Sequence, residues 1–325
     1  MSGSAAGSHA RSKPDACSVI WDREQASGLG TAPTATFWVA LEQSGPWGRE
    51  AVTQSHLDPA VGSALDRSAK DVGGRVILLR RPGTHSNAHQ DRPHRVYVAG
   101  GLADRPWLLE ADLTDPASLL RLPWAALRDG DMGTVRASLP ELDRSRGPVL
   151  MVCSNSKRDV CCAVRGRPVA LESSAERPGQ VWECSHTGGH RFAPTGILLP
   201  YGQTLARLSA ASAVAVIDAA AGGELPVDLV GAAYDRGRSH LTPPAQAAES
   251  IVRQQVREPN LLAFTTTAEP HPSLANAWQC RVSHVDGRHW DVVAVRSQGA
   301  EERPESCGKK PVPTWEWSVL NGFGR

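Results

Sequence analysis

The chain has 325 residues, 41% of them hydrophobic, with 35 Lys and Arg against 34 Asp and Glu. That length accommodates two or three domains of ~100–200 residues, and a net charge of +1 gives no electrostatic basis for binding nucleic acid or an acidic membrane. No apolar run approaches the ~18 residues of a transmembrane helix. The polar opening MSGSAAGSHARSKPDA lacks the apolar stretch of a secretory signal, so the cytoplasm is the expected location.

Residues 1–16 are rich in Ser, Ala, Gly and basic residues and read as a disordered tail. Cys17 follows, and a lone cysteine reads as a small buried hydrophobe. An N-terminal α/β domain is expected over 17–143. Its strands fall at 36–42 (TFWVALE), 75–80, 95–99 and 107–112. A Gly- and Pro-containing loop, 44–48, and a helix over 57–70 with Ala60, Val61, Ala64 and Leu65 on one face separate the first two strands. His85, His89 and His94 lie in a polar stretch without Cys or acidic partners at short spacing, which reads as an exposed loop and not a metal site. Residues 118–127 should form two short helical pieces broken at Pro123, with a linker near 129–133.

The order strand, loop, helix, strand, strand, strand recurs over 144–224. Strands are expected at 149–152, 181–183, 196–200 and 204–208, with a helix over 209–221 stopped by Gly222-Gly223. The first domain thus reads as a degenerate copy of the second, without its chemistry. Beyond 225 an α+β extension is expected: a basic stretch DRGRS at 235–239, a helix from Thr242-Pro-Pro to 256, and a hairpin of 278–285 with 289–295 around Asp286-Gly287. Cys280, Trp315 and Trp317 read as core-packing groups.

Seven cysteines are present, four of them between 153 and 184. An odd, clustered set fits a metal or redox site better than a disulfide framework. The strand at 149–152 delivers Cys153 into a turn, and Cys161-Cys162 open the next helix. The strand at 181–183 leads into His186-Thr-Gly-Gly-His190, where the glycines let the loop fold tightly. Two sulfur-bearing positions and two imidazoles suit either a tetrahedral zinc or a [2Fe–2S] cluster in which histidines replace cysteines on one iron. The spacing matches neither standard pattern and leaves both open. No Cys-x-x-Cys exists, which argues against a thioredoxin-type thiol oxidoreductase. No G-x-G-x-x-G stands between a strand and a helix, so a flavin or nicotinamide would belong to a separate protein.

The stretches CSNSKRDVCCAVRG (153–166) and WECSHTGGHRFAPT (182–195) resemble the sucrase/ferredoxin-like family, which is related to the thioredoxin-like [2Fe–2S] ferredoxins. Gly30-Thr-Ala, EQSGPWG (42–48), Gly237-Arg-Ser, 245–249 and Ser306-Cys-Gly-Lys309 carry the likeness further along the chain. The resemblance implies a thioredoxin-like ferredoxin domain at 144–224 whose cluster is held by Cys153, Cys162, His186 and His190. Counted from Arg158-Asp159, the second cysteine ligand falls on Cys162 and not Cys161. The implied function is electron transfer with an unidentified redox partner protein. By analogy with Rieske centres, the potential would be pH-dependent and raised to roughly −150 to +300 mV, against about −400 mV for all-cysteine ferredoxins. No pair of carboxylates marks glycosidase chemistry. The alternative is a structural zinc site in an interaction protein. Lys157, Arg158 and Arg191 flank the ligands. Asp159 is expected to cap the following helix, and Ser185 and Thr187 to orient the histidine loop.

Overall fold

The computed structural model describes residues 13–83 and 92–320, so His85 and His89 lie outside the described residues. A short helix, α1 (Cys17–Arg23), comes first, then β1 (Trp38–Glu42), α2 (Pro59–Asp71), β2 (Arg75–Arg80), β3 (His94–Gly100) and β4 (Trp107–Leu113). Asp58 starts α2 by accepting the amides of Ala60 and Val61 at 2.7 and 3.1 Å, with Pro59 in the first turn where no amide is needed. β1 runs parallel to β2 and antiparallel to β3, and β4 pairs antiparallel with β3. Pro123 separates a 3₁₀ turn (Pro116–Arg121) from α3 (Trp124–Arg128), as the sequence predicts. The linker expected near 129–133 is instead the start of α4 (Met132–Ser138). Asp131 accepts the Thr134 amide at 3.1 Å there, so a turn-like Asp-Gly-Asp serves as a helix cap. The two-residue strand β5 (Asp143–Arg144) pairs with β4.

The second half repeats this plan with β6 (Val149–Cys153), α5 (Arg167–Glu176), β7 (Val181–Cys184), β8 (Gly196–Leu199), β9 (Gln203–Leu205) and α6 (Ala210–Ala220). β6 is parallel to β7 and antiparallel to β8, and β9 follows on β8. Both halves therefore have the same strand order, and they join where β2 meets β7 antiparallel at Leu79–Cys184 and Arg80–Glu183. β10 (Asp235–Arg238) adds to β9 and completes a ten-stranded sheet. The basic stretch at 235–239 is thus a buried strand. Arg236 and Arg238 are 1% and 2% exposed, and Arg238 forks onto Glu249 at 2.7 and 2.6 Å.

Side-chain alternation along the strands divides the core. Val39 and Leu41 of β1 pack with α2 and the short helices. Trp38 and Ala40 point the other way, into a cluster with Tyr97, Met151, Cys153, Cys162 and Trp182 that both halves share. α7 (Pro243–Val256) then leads to a four-stranded antiparallel sheet of β11 (Phe264–Pro270), β12 (Ala277–His284), β13 (His289–Arg303) and β14 (Val312–Leu320). β12 and β13 are the expected hairpin; β11 and β14 were not legible. Cys280 is buried. Trp317 packs on Trp278 with centroids 5.2 Å apart, but Trp315 is 43% exposed beneath Arg296, contrary to the core reading. Among the described residues, no helix is long and apolar enough to cross a membrane.

Candidate metal centre

The site is built where β6 and β7 end. β6 delivers Cys153, and the turn after it closes on Asp159, whose Oδ1 accepts the Cys161 amide at 2.9 Å as the expected cap. The helix then passes through a widened π-type turn, Cys162–Gly166, before α5, a local irregularity frequent at functional sites. Gly166 lies so close to the Cys153 carbonyl that any Cβ there would collide with it. This contact presses the helix start onto the strand end. Cys153 and Cys162 are buried side by side in the shared core cluster. The hydrogen bond between their thiols holds Cys153 well below the usual thiol range, helped by His186. The same bond, together with burial, holds Cys162 well above it. Cys153 Sγ stands 3.9 Å from His186 Nδ1.

The histidine loop is fixed at both ends. Ser185 donates its amide to the Leu78 carbonyl at 2.9 Å and accepts the Leu78 amide on its hydroxyl at 3.1 Å. The Thr187 and Thr195 hydroxyls are 3.0 Å apart. Between the histidines, Gly188 and Gly189 both take the left-handed conformation, with φ of 71° and 68°, which side-chain-bearing residues adopt only at a cost. The reversal brings the His186 and His190 rings to 6.0 Å between centroids, 26° from parallel. His190 Nδ1 is buried with no hydrogen-bond partner among the described residues, and its Nε2 lies 3.9 Å from Asp159 Oδ2. Burial lowers the His190 pKa, against the pull of Asp159, so the ring is neutral and able to ligate.

Arginines surround the site in ways the sequence did not disclose. Arg236 donates to the Gly188 carbonyl and the Thr31 hydroxyl, both at 3.0 Å, and to the Thr31 carbonyl, with its guanidinium over Phe192. Burial pushes its pKa down to about 9, while the Cys153 and Cys162 thiols pull the other way. The only sequence signal was its place beside the Gly237-Arg-Ser motif. At the seam, Arg80 binds Glu183 at 2.7 and 2.5 Å, and Ser154 donates to the same carboxylate at 2.7 Å. Of the flanking basic residues, Lys157 is exposed, Arg158 pairs with Glu50 at 2.6 Å, and Arg191 packs over Trp21 and Phe192. A cleft of about 390 Å³ opens beside His186, lined by Arg49, Lys70, Arg75 and Arg158 together with Glu50 and Asp66, which pair with Arg158 and Lys70 at 2.6 Å each.

The structure separates the adjacent cysteines. Cys162 joins Cys153, whereas Cys161 lies against Cys17 and Cys307, with sulfur separations of 3.4 and 3.1 Å. Cys17 is buried as expected, but in contact with other thiols and not only with hydrocarbon. Cys184 sits opposite Cys153 in the β6–β7 register, and burial raises its thiol. His94 holds the Glu42 carbonyl at 2.7 Å through Nδ1 and takes no part in either group.

Two buried thiols, Cys153 and Cys162, thus lie next to a loop bearing two part-exposed imidazoles, His186 and His190, the latter with a buried ring nitrogen that has no partner among the described residues. That donor set fits an iron–sulfur cluster or a mixed-ligand metal ion. No curated protein and no solved structure matches the chain. Residues 29–229, which carry both strand tips and β10's first neighbours, match the model of one family. The chain belongs to the sucrase/ferredoxin-like family.

Proposed function

We propose that the protein is an electron carrier with a [2Fe–2S] cluster, held by Cys153 and Cys162 on one iron and by His186 and His190 on the other, in a thioredoxin-like half-domain. The observation that carries this reading is the buried, unpartnered His190 Nδ1 on the loop that also places His186 Nδ1 3.9 Å from Cys153 Sγ. An imidazole nitrogen is rarely buried without a partner unless something else takes its lone pair. When bound, such a cluster accepts and releases one electron. The chain's own residues keep water from the two thiols, orient the histidine loop through Ser185, Thr187 and Arg236, and place a fixed positive charge behind it. In the cleft beside His186, Glu50 and Asp66 pair with Arg158 and Lys70, and the excess of positive charge that Arg49 and Arg75 leave there suits an acidic patch on a redox partner protein.

His190 Nε2 keeps its proton near Asp159 when Nδ1 is the ligating atom. That proton is held more tightly in the reduced state, so the potential should be flat in acid and fall towards alkaline pH, by up to about 59 mV per pH unit per proton. The test is iron and sulfide analysis with visible absorption and paramagnetic resonance of freshly purified protein. A red-brown protein with two irons per chain and a redox titration that bends with pH supports the reading. A colourless protein holding zinc in place of iron overturns it in favour of the structural zinc alternative.

A further inference from the structure

Three thiols that are far apart in the sequence meet outside the proposed cluster. Cys17 comes from α1, Cys161 from the helix start that follows Asp159, and Cys307 from the connection between β13 and β14. Their sulfurs are 3.4 Å (Cys17–Cys161), 3.1 Å (Cys161–Cys307) and 3.6 Å (Cys17–Cys307) apart. With one oxygen of Asp159, the four ligand atoms lie within 4.8 Å of one another. One buried cysteine is ordinary packing. Three in mutual contact, converging on a buried carboxylate, form a donor set.

We propose that Cys17, Cys161, Cys307 and Asp159 bind a zinc ion, in a second metal centre distinct from the Cys153, Cys162, His186 and His190 site. Zinc accepts three thiolates and a carboxylate in tetrahedral geometry, and the present sulfur separations need only a small expansion to surround it. The carboxylate is already oriented as a ligand requires. Its Oδ1, 3.9 Å from Cys17 Sγ, accepts the Cys161 amide at 2.9 Å. Its Oδ2 accepts the Ser306 hydroxyl at 2.7 Å and the Cys307 amide at 2.9 Å. Such outer hydrogen bonds fix ligating groups in metal sites. An entry path exists, since a cleft of about 460 Å³ lined by Lys13, Asp15, Val160, Cys161, Val164 and Cys307 opens on the thiols. The ion would tie the N-terminal helix and the C-terminal sheet to the residue next to Cys162, stiffening the cluster loop from behind.

The test uses the full-length protein purified under reducing conditions. Elemental analysis should find about one zinc per chain in wild type. The same zinc should persist in His186→Ala, which empties the other centre, and disappear in Cys17→Ser and Cys307→Ser. Titration with zinc alone against a chromogenic chelator should show affinity falling by at least ~100-fold in either cysteine variant and by ~10–100-fold in Asp159→Asn. Zinc should also shield Cys17, Cys161 and Cys307 from alkylation in wild type, a readout that needs no variant to fold. Zinc lost in His186→Ala but kept in Cys17→Ser would place the ion at the other centre and overturn the proposal. So would wild-type protein without zinc affinity, or one in which Cys161 and Cys307 are joined by a disulfide.

Discussion

The two halves of the ten-stranded sheet share a topology and differ in what stands at their strand tips. β6 ends in Cys153; β1, its counterpart, ends in Glu42, which is 3% exposed and closed off by Arg92 at 2.7 Å, Arg81 at 3.2 Å and the Arg95 amide at 3.2 Å. β7 leads into His186-x₃-His190. The sequence between β2 and β3 contains His85-x₃-His89, with the same separation but no cysteine at the neighbouring tip. The first half still serves the second: Gly48 accepts Asn155 Nδ2 at 2.9 Å, and Glu50 holds Arg158. One framework can thus end its strands in ion pairs, which make a wall, or in thiols and imidazoles, which make a site.

The largest effect should come from the tips themselves. Cys153→Ser, Cys162→Ser, His186→Ala and His190→Ala should each remove the iron or leave it labile, whereas Glu42→Gln should keep the full complement and cost roughly 1–3 kcal/mol in denaturant unfolding. Iron per chain decides it. Full iron in all four site variants would dissolve the distinction between the tips. Cys161→Ala should retain the iron; if it loses iron and Cys162→Ala does not, the adjacent cysteines have been assigned in the wrong order. Next comes the seam, where Arg80 and Glu183 have side chains only 6% and 1% exposed. Glu183→Gln leaves the guanidinium without its counter-charge and should cost ~3–5 kcal/mol, read from urea midpoints. A loss below about 1 kcal/mol would mean that the halves do not depend on this pair.

The repeated plan was legible because each half announces itself by apolar strands of the right length and by one Pro- or Ser-initiated helix. The four candidate ligands were legible because chemistry concentrates rare residue types at short spacing. Arg236 was not: a basic DRGRS reads as solvated, and only the structure shows β10 tucked between β9 and α7 with Glu249 neutralising Arg238. The thiol triad was equally hidden, since 144 residues separate Cys17 from Cys161 and 146 separate Cys161 from Cys307. No local pattern encodes such a meeting. α4 is hidden because Asp129-Gly130-Asp131 has the composition of a turn, and β11 and β14 because their threonines, prolines and glutamates blur the alternation that marks a strand.

Acid should expose a further asymmetry. Burial opposes protonation of His190 and of His240, whose pKa is pushed down to about 4 by burial and by Arg238. Both lie on the second half's side. A histidine whose folded pKa is lowered adds no penalty above its unfolded value near 6.5. Below that value the unfolded chain takes up the proton first, so stability falls between about pH 6.5 and 4 and levels off beneath. For His240 the loss should be roughly 1–3 kcal/mol. Metal-free wild type and His240→Gln, unfolded by urea at pH 7 and pH 4.5, should differ in how much they lose. Parallel losses would show that His240 does not carry the effect.

The smallest effect tests whether the second half's arginine acts by its charge or only by its hydrogen bonds. Arg236 is buried, so water and salt screen it poorly, and it faces the loop that bears both histidines. A cation there favours the state with one more electron. Removing it should therefore make reduction harder, and at an effective dielectric of ~20 a unit charge is worth about 1–2 kcal/mol, or tens of millivolts. Arg236→Gln retains an amide to donate to Gly188 and should lower the potential by that amount. Arg236→Lys retains the charge without the fork and should leave the potential nearly unchanged while lowering stability. Arg105→Gln, on the first half and 93% exposed in its side chain, should do neither. If Arg236→Lys shifts the potential as far as Arg236→Gln, the guanidinium acts by positioning the loop, and the electrostatic account of this arginine fails.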